Sequence, residues 1–427
     1  MADGPDEVER AFRAEAGRAL ATVARLVGDL DHAEDAVQEA YLVAIERWPH
    51  TGIPDRPGAW ITTVARNRAL DRLRRESRRG ERERAAALEA VAATPPILHP
   101  VDDDRLQLLF TCCHPALAPE VRVPLALRFV CGLRVAEIAR LLLEGEAAVA
   151  KRLQRAKAKI RTAAIPLRMP GPALLAERVP GVLECVYLLF TEGYASTTGN
   201  RLVRDDLCDE AVRLARLLVA LRPDDPGAAA LLALLLLQDS RRGARLDGDG
   251  RIVLLADQDR RRWDRSAIDE GLRHLERAAS AGMMTAAAAA YVLQAAIAAE
   301  HARAATWEST DWRAIVSHYD ELAGVSPSPV VLVNRAVAVS FADGPAAALP
   351  LLERLALDPR LAGSHLVPAA LAELHQRLGQ HDRAVQHCRR ALERATTAPE
   401  RELLRRRLAE LAGSGRSLRP ADDLGGP

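Results

Sequence analysis

Aromatic residues are scarce in this chain, and so are lysines. Only 4% of its 427 residues are Phe, Trp or Tyr. Ala, Leu and Arg dominate the composition instead, which favours helices over strands. The expected fold class is therefore all-α, and a chain of this length is expected to form roughly two to four domains.

The sequence also lacks long apolar runs and paired cysteines. The longest apolar run, 228–237, is too short to span a bilayer, and the N-terminus shows no signal-peptide pattern. We therefore expect a cytoplasmic protein without membrane contact. None of the six cysteines forms a C-x-x-C pair, and the adjacent Cys112 and Cys113, followed by His114, are poor partners at one tetrahedral ion. We expect buried thiols, no metal and no cofactor.

The charge balance lacks an excess of either sign. A formal net charge of +1 excludes the globally basic field that attracts nucleic acid. The distribution is more informative, because the only lysines, Lys151, Lys157 and Lys159, lie in one short segment with no acidic residue from 147 to 161. One domain can therefore bind DNA while the rest of the chain offsets its charge.

The segment 57–79 predicts an amphipathic helix with two distinct faces. One stripe is suited to pack against neighbouring helices and consists of Ile61, Ala65, Ala69 and Leu73. The other face carries a ring, an amide and guanidinium groups, at Trp60, Thr63, Asn67, Arg74 and Arg78. Aromatic rings stack on bases, amides pair with base edges and Arg neutralises phosphate. Taken alone, an Arg-rich solvated helix explains the segment more simply.

Residues 134–142 and 146–160 predict a helix-turn-helix. The core stripe of its second helix consists of Val149, Leu153, Ala156 and Ile160. The opposite face carries Lys151, Gln154 and Arg155, which can reach phosphates or base edges in a major groove. By itself, a helical hairpin without a DNA role explains this segment equally well.

Other local patterns predict the organisation of the remaining chain. Asp31 is the expected N-cap of a helix, with Glu34 at the spacing of a capping box. The run 247–255 predicts one short hairpin. Asp257, Asp259 and Asp264 are expected to cap helices and pair with arginines rather than form an acidic site. From about 312, short breaks separate paired helices at the mid-thirties spacing of tetratricopeptide-type repeats.

Two parts of the chain together resemble a known family. The run DHAEDAVQEAY at 31–41 resembles region 2.2 of bacterial sigma factors of the extracytoplasmic-function group, and 59–75 is similar to regions 2.3 and 2.4. Residues 125–161, centred on VAEIA and QRAK, resemble region 4. The long extension, with LLFTEGY near its start, is similar to the subgroup that carries a C-terminal tetratricopeptide-like domain.

The resemblance implies roles for the matching positions. The surface that binds the clamp helices of the largest RNA polymerase subunit is implied to contain Asp35, Gln38 and Glu39, although a solvated acidic face is the simpler explanation of these residues alone. The residues implied to melt and read the −10 promoter element, with the loop 50–56, are Trp60, Arg66, Asn67, Asp71, Arg74 and Arg75. The residues implied to read the −35 element as duplex are Lys151, Arg152, Gln154 and Arg155.

The resemblance also implies how the chain is divided. The expected parts are region 2 at 1–80, a linker at 81–101, region 4 at 102–166, a linker at 167–181, a helical extension at 182–300, tetratricopeptide-like repeats at 301–412 and a disordered tail at 413–427. The implied partners are core RNA polymerase, through its clamp helices and flap, promoter DNA, and a regulatory protein on the extension.

The resemblance favours a sigma factor over three other classes of protein. A one-component helix-turn-helix regulator with a repeat sensor domain is the alternative, and an interaction scaffold is a third class. We do not expect an enzyme, because no catalytic arrangement of side chains stands out.

Overall fold

A computed structural model describes residues 5–77, 103–142, 144–196 and 202–416. Regular structure within these residues is helical, apart from one isolated β-bridge, which confirms the expected all-α fold. The α-helices are α1 Pro5–Val27, α2 Leu30–Thr51, α3 Pro57–Ser77, α4 Asp104–Cys112, α5 Pro119–Phe129, α6 Val135–Leu141, α7 Glu146–Thr162, α8 Pro172–Tyr194, α9 Asp205–Leu221, α10 Pro226–Asp239, α11 Arg265–Ala279, α12 Ala286–Arg303, α13 Trp312–Val325, α14 Pro329–Ala342, α15 Pro345–Leu355, α16 Leu366–Arg377, α17 His381–Arg394 and α18 Ala398–Arg416.

The chain divides into two compact units. The first contains residues 1–190 and 209–221, and the second contains 191–208 and 222–427. The predicted linker at 81–101 and nearly all of the predicted tail lie outside the described residues. The finer division into seven parts stays a prediction.

In the first unit, α1, α2 and α3 pack on one another as a bundle, called here the α1–α3 bundle. Its core contains the predicted stripe of α3, with Ile61, Ala65 and Ala69 buried. Trp48, near the end of α2, is the largest fully buried side chain among the described residues. The short aliphatic side chains of α3 therefore allow close helix contact, and the Trp48 ring adds a large apolar side chain to the core.

The N-cap of α2 differs from the prediction. Asp29 has an extended backbone (φ −140°, ψ 128°), and its carboxylate accepts a hydrogen bond from the backbone N–H of His32 at 3.0 Å. Asp31, the predicted N-cap, lies inside the first turn. Both aspartates suit a helix start, and the backbone geometry selects the earlier one. The carboxylate of Asp31 is therefore available to groups outside α2.

The second bundle of this unit, called here the α4–α7 bundle, contains the predicted helix-turn-helix in α6 and α7. Val149, Leu153 and Ile160 are buried along α7, as the pattern predicted, together with Ala156. Gly145 is the N-cap of α7. The periodicity of α7 therefore fixes which of its side chains face outward.

Parts of α8 and α9 also belong to the first unit. Arg178 of α8 donates to the carbonyl oxygen of Phe110 at 3.2 Å, and Arg213 of α9 lies 2.6 Å from Asp103. Glu210 pairs with Arg105 at 2.8 Å. Burial opposes ionisation of Glu210, but Arg213 and Arg105 outweigh it and lower the pKa of this carboxyl. Helices beyond residue 166 are thus part of the packing of this unit.

The second unit is built from helices that pack on their neighbours in sequence order. Eleven consecutive residues of α10, from Gly227 to Leu237, are buried, as the apolar run predicted. The predicted hairpin is present only in minimal form: an isolated antiparallel bridge joins Leu246 and Ile252, and the backbone N–H of Val253 donates to the carbonyl oxygen of Arg245 at 2.8 Å. Leu255 already begins a 3-10 turn, so the apolar residues after the bridge do not pair as a strand.

The repeat pattern is observed in the last third of the chain. Successive helix pairs begin at Trp312, Pro345 and His381, a spacing in the mid-thirties. Ala336, Ala384 and Ala391, all buried, lie where neighbouring helices meet. Small side chains at these positions let the helices approach closely. No helix among the described residues is long and apolar enough to cross a membrane.

Gly193 lies in the last turn of α8, and a substitution there tests how tightly the second unit is packed. A Cβ atom there would lie 2.8 Å from the backbone nitrogen of Cys208 and 2.9 Å from the Cβ atom of Leu207. Gly193→Ala is therefore expected to lower the free energy of unfolding by about 1–3 kcal/mol. Gly243→Ala is the matched control, because no heavy atom lies within 4 Å of its added Cβ. Chemical denaturation followed by circular dichroism checks this, and equal stability of both variants would contradict it.

Candidate nucleic-acid and protein interfaces

The outer face of α3 presents polar side chains to solvent. Asn67 and Arg74, which the helical wheel placed on the polar face, are exposed, and so are Arg66 and Asp71. Trp60 is only half-buried, and its ring packs edge-on against Trp48 with a centroid distance of 5.2 Å. The bundle core therefore anchors this ring at the start of a row of amide and guanidinium groups.

Arg74 of α3 has an acidic neighbour on its own helix. Arg74 lies 3.4 Å from Asp71, one turn earlier on the same helix. An exposed pair of this kind contributes little to stability, so both groups can exchange partners at low cost. The side chain of Arg75, and Arg78 altogether, lie outside the described residues.

The acidic edge of α2 is paired with arginines of α3. Asp35 lies 2.5 Å from Arg72, and Glu39 lies 3.5 Å from Arg72 and 3.8 Å from Arg68. Gln38 is exposed between these two acids along the sequence. The pattern of α2 alone did not indicate that arginines of the next helix compensate its charge. At this level of exposure, each pair stabilises the bundle by about 1 kcal/mol or less.

The outer face of α7 brings three of the four predicted DNA-reading residues together. Lys151, Gln154 and Arg155 are exposed on one side of the helix. Arg152 points elsewhere: it lies 2.6 Å from Glu144, just before the helix, and donates to the carbonyl oxygen of Glu120 at 3.0 Å. These contacts tie α7 to the turn and to α5, so Arg152 holds the helix in place.

The start of α6 is fixed by a buried carboxylate. Glu137 is buried and accepts a hydrogen bond from the backbone N–H of Arg134 at 2.7 Å. This bond satisfies an N-terminal amide that the helix itself cannot pair. The hydrogen bond of Glu137 thus fixes where the first helix of the predicted helix-turn-helix begins.

Lys157 of α7 faces α2 of the other bundle. Its Nζ atom lies 2.5 Å from Asp31 and 3.2 Å from Glu34. Burial opposes its positive charge, but the two carboxylates outweigh burial and raise the pKa of Lys157. The basic segment therefore separates into an outward-facing part and a part that pairs with acids.

Asp259 and Asp264, and two residues of the LLFTEGY run, have structural partners. Asp259 and Asp264 are N-caps, and Asp259 pairs with Arg261 at 3.0 Å, as expected. Glu192 is fully buried and accepts a hydrogen bond from Ser196 at 3.0 Å. The Tyr194 ring stacks on Arg245. These contacts explain the residues as parts of the packing of the second unit.

Cys112, Cys113 and Cys185 of the first unit are buried, and Cys131 is half-buried. Burial raises the pKa of Cys112, and burial raises that of Cys131 to about 12. A hydrogen bond with Cys113, together with burial, raises the pKa of Cys185. No group of three His, Cys, Asp or Glu among the described residues could hold a metal ion.

Three family models match separate parts of the chain. Sigma-70 region 2 matches residues 11–79, and Sigma-70 region 4 matches 107–160. A family of unknown function, DUF6596, matches 178–279. The first two matches cover the α1–α3 bundle and most of the α4–α7 bundle, in the order that the sequence predicted.

Curated relatives fall into two groups. An uncharacterised protein of Rhizobium meliloti (strain 1021) is 42% identical over 92% of this chain and 93% of its own length. The ECF RNA polymerase sigma factor SigJ of Mycobacterium tuberculosis is 33% identical over 39% of this chain and 56% of its own. A probable ECF RNA polymerase sigma factor, SigI, of the same species is 30% identical over 38% of this chain and 56% of its own length. The chain thus spans a little over half the length of these two sigma factors.

The raised thiol pKa values predict slow reaction with a thiol reagent. Because the thiolate is the nucleophile, the folded protein is expected to react slowly with Ellman's reagent at pH 8, while denatured protein titrates all six cysteines. The rate is expected to keep rising above pH 10, because Cys131 titrates only near 12. Stopped-flow absorbance checks this, and fast labelling of the Cys112 or Cys185 thiol at pH 8 would contradict it.

Proposed function

The chain belongs to the extracytoplasmic-function sigma factors, and from that membership we propose that it binds core RNA polymerase, recognises promoters and initiates transcription. The observation that carries the proposal is the ordered match of Sigma-70 regions 2 and 4 to two helical bundles with polar outer faces. Sigma factors are transcription initiation factors rather than enzymes, which agrees with the expected absence of catalysis.

The outer face of α3 is proposed to melt and read the −10 element. Exposed Asn67 can hydrogen-bond to the edge of an unpaired base, and the ring of Trp60 offers a stacking surface whose position is set by Trp48. Arg66 and Arg74, with Arg75, are proposed to contact the phosphates, and Asp71 to orient Arg74. In this proposal, the amide of Asn67 and the ring of Trp60 select the base sequence.

The outer face of α7 is proposed to read the −35 element as duplex. Lys151, Gln154 and Arg155 lie on one side of a helix narrow enough to enter a major groove. Arg152 is proposed to act indirectly, through its contacts with Glu144 and Glu120, by holding α7 at the correct angle. Its direct role in DNA binding, implied by the resemblance, is thereby replaced by a positioning role.

The acidic edge of α2 is proposed to bind the clamp helices of the polymerase. Docking exchanges the pairs of Asp35 and Glu39 with Arg68 and Arg72 for pairs with basic groups of the partner. Because exposed ion pairs contribute about 1 kcal/mol or less, this exchange costs little. Exposed Gln38 adds a neutral hydrogen-bonding group to the same surface.

A helical extension distinguishes this chain from a minimal two-region sigma factor. The extension includes the region matched by DUF6596 and the helix pairs that begin at Trp312. We propose that it regulates promoter-dependent transcription through a protein partner. Its length and its separate buried clusters support a role beyond that of a tail.

A one-component DNA-binding regulator remains the alternative. Such a protein needs the helix-turn-helix in α6 and α7 but has no use for a Sigma-70 region 2 bundle. The match to residues 11–79 therefore favours the sigma factor. The two classes differ in their requirement for core polymerase, since a regulator binds its operator alone.

Single alanine substitutions are expected to separate the two promoter elements. Asn67→Ala is expected to weaken discrimination at the −10 element and to leave binding to core polymerase unchanged. The Asn67 side chain is exposed and does not belong to the hydrophobic core of the bundle. Arg155→Ala is expected to cost about 1–3 kcal/mol at the −35 element if it contacts a base. Competition between promoter fragments with either element altered measures both effects.

Removal of the same types of side chain from exposed positions of the second unit provides matched controls. These are Asn334→Ala on α14 and Arg389→Ala on α17, which are expected to leave both elements unaffected. Equal losses at the two elements from Asn67→Ala, or similar losses from the controls, would contradict the assignment.

Truncation tests the regulatory role of the extension. A stop after Leu221 keeps α8 and α9, whose residues pack in the first unit, whereas a cut near 176 removes buried Val179 and Val182. The truncated protein is expected to bind core polymerase but to give altered promoter-dependent output in cells. Reporter transcription measures this, with helicity and melting of the truncated protein as the folding control. Unchanged output from a folded protein would eliminate the regulatory role.

A further inference from the structure

Two arginine-rich turns of the second unit lie side by side. They are the 3-10 turns Arg242–Ala244 and Arg260–Arg262, which are in contact. The backbone N–H of Asp264 donates to the carbonyl oxygen of Ser240 at 2.8 Å, which joins the segments at the ends of the two turns. Guanidinium groups from two separate segments of the chain are therefore close together.

The acids next to these turns are engaged with other groups. Asp239 lies 3.1 Å from Arg242, and Asp259 lies 3.0 Å from Arg261. Asp264 caps the N-terminus of α11. These carboxylates therefore neutralise two of the arginines and stabilise the start of one helix.

Arg241 and Arg260 lack a carboxylate partner. Among the described residues, no carboxylate oxygen lies within 4 Å of either guanidinium group. Arg241 donates instead to the amide oxygen of Gln238 at 2.5 Å. Arg260 is only 8% exposed, and its Nη1 atom donates to the carbonyl oxygens of His301 and Ala304, at the end of α12. Its Nη2 atom is buried and has no hydrogen-bond partner within the part of the chain that the structure describes. A buried guanidinium group is costly unless it is paired, so this one suits an anion.

The positive charges at this place repel one another. Burial, together with Arg241 and Arg265, lowers the pKa of Arg260. Glu308 opposes this shift without cancelling it. Burial, with Arg241 and Arg260, lowers the pKa of His301 to about 4, so the imidazole is neutral at pH 7. An anion placed among these groups relieves the repulsion and favours their charged forms.

Trp263 carries a further unpaired donor beside Arg260. The guanidinium carbon of Arg260 lies 4.7 Å from the centre of the Trp263 ring. The buried Nε1 atom of that ring and the buried Nδ1 atom of His301 find no hydrogen-bond partner among the described residues. Unpaired buried polar groups reduce stability, and an oxyanion can accept hydrogen bonds from several donors at once. These side chains therefore have the chemistry of an anion site.

Half-buried aromatic rings adjoin His301. The Trp307 ring is nearly parallel to the imidazole, at 9° with a centroid distance of 6.3 Å, and the Trp312 ring packs edge-on against it at 5.3 Å. Phe341 contacts both indoles, with centroid distances of 5.1 and 4.5 Å. Only 4% of the chain is aromatic, so this concentration of rings sets the place apart. Such a surface suits a planar group of a ligand.

We propose that the second unit binds a small organic anion at this place. Arg241, Arg260 and Trp263 hold its carboxylate or phosphate group, and Trp307 and Trp312 contact a planar apolar part. These five residues are called here the anion site. The inference goes beyond the proposed function, because the surfaces assigned to promoter DNA and polymerase belong to the first unit. Its test needs only the purified full-length chain.

Four small anions test the anion site in the full-length chain. Benzoate and phenyl phosphate carry a ring, and acetate and inorganic phosphate are their matched counterparts without one. Isothermal titration calorimetry at constant ionic strength measures each dissociation constant. At least one ring-bearing anion is expected to bind roughly tenfold more tightly than its counterpart, because contact with the indoles adds to pairing with the arginines. The tighter ring-bearing anion tells a carboxylate site from a phosphate site. Equal binding of both members of each pair, or no binding at all, would overturn the proposal.

Matched variants separate the anion site from a general effect of charge. Arg241→Gln removes a cation but keeps the contacts of Arg260 with α12, and is expected to weaken binding of the ring-bearing anion roughly tenfold. Trp263→Phe keeps a ring beside Arg260 but removes the Nε1 donor, and is expected to weaken binding roughly threefold. Arg261→Gln is the control, because 91% of the Arg261 side chain is exposed and it pairs with Asp259. Circular dichroism checks that each variant is folded. Unchanged affinity of folded Arg241→Gln, or an equal loss in Arg261→Gln, would refute the site.

The imidazole of His301 reports whether the anion occupies this place. A negative charge bound beside Arg241 and Arg260 is expected to raise the pKa of His301 from about 4 towards its ordinary value. NMR titration of protein with carbon-labelled histidine measures the shift, and the His301→Gln variant assigns the resonance. An unchanged His301 titration at a saturating concentration of the anion would contradict the assignment.

Discussion

The acidic edge of α2 is the feature on which the arrangement of the first unit depends. One side of this helix is buried in the α1–α3 bundle, and the other carries carboxylates that basic residues from two directions share. Arginines of α3 pair with Asp35 and Glu39, whereas Lys157 pairs with Asp31 and Glu34. The first group of pairs holds neighbouring helices of one bundle, and the second joins two bundles. A partner that binds this edge therefore affects both bundles at once.

Pairing also distinguishes the basic residues that are free to contact nucleic acid from those that maintain the fold. Lys151 and Arg155 are exposed on α7, while Arg152, between them in sequence, is held by Glu144. The chain as a whole is nearly neutral, so a local excess of positive charge exists only where acids are absent. On α7, acids are absent from the outer face, whereas carboxylates of α2 neutralise the face toward that helix.

Periodicity predicted the fold well, because burial of an apolar stripe is a local property of a helix. The stripe of α7 and the pairing of helices after Trp312 follow from spacing alone. The N-cap of α2 was wrong, since Asp29 and Asp31 are chemically equivalent and backbone geometry decides between them. The partners of Lys157 and Arg152 depend on contacts between residues distant in sequence, which no local pattern contains. The hairpin extends no further than one bridge for a related reason: a turn sequence specifies a bend, but longer strands also need a partner surface.

The central claim is that this chain directs core RNA polymerase to defined start sites. Its most direct test is to map the 5′ ends of transcripts made in vitro by core polymerase on genomic fragments, with and without the purified full-length chain. The account predicts new, discrete start sites that depend on the chain and share two upstream sequence elements. Identical transcripts with and without the chain, at concentrations where it binds core polymerase, would contradict it.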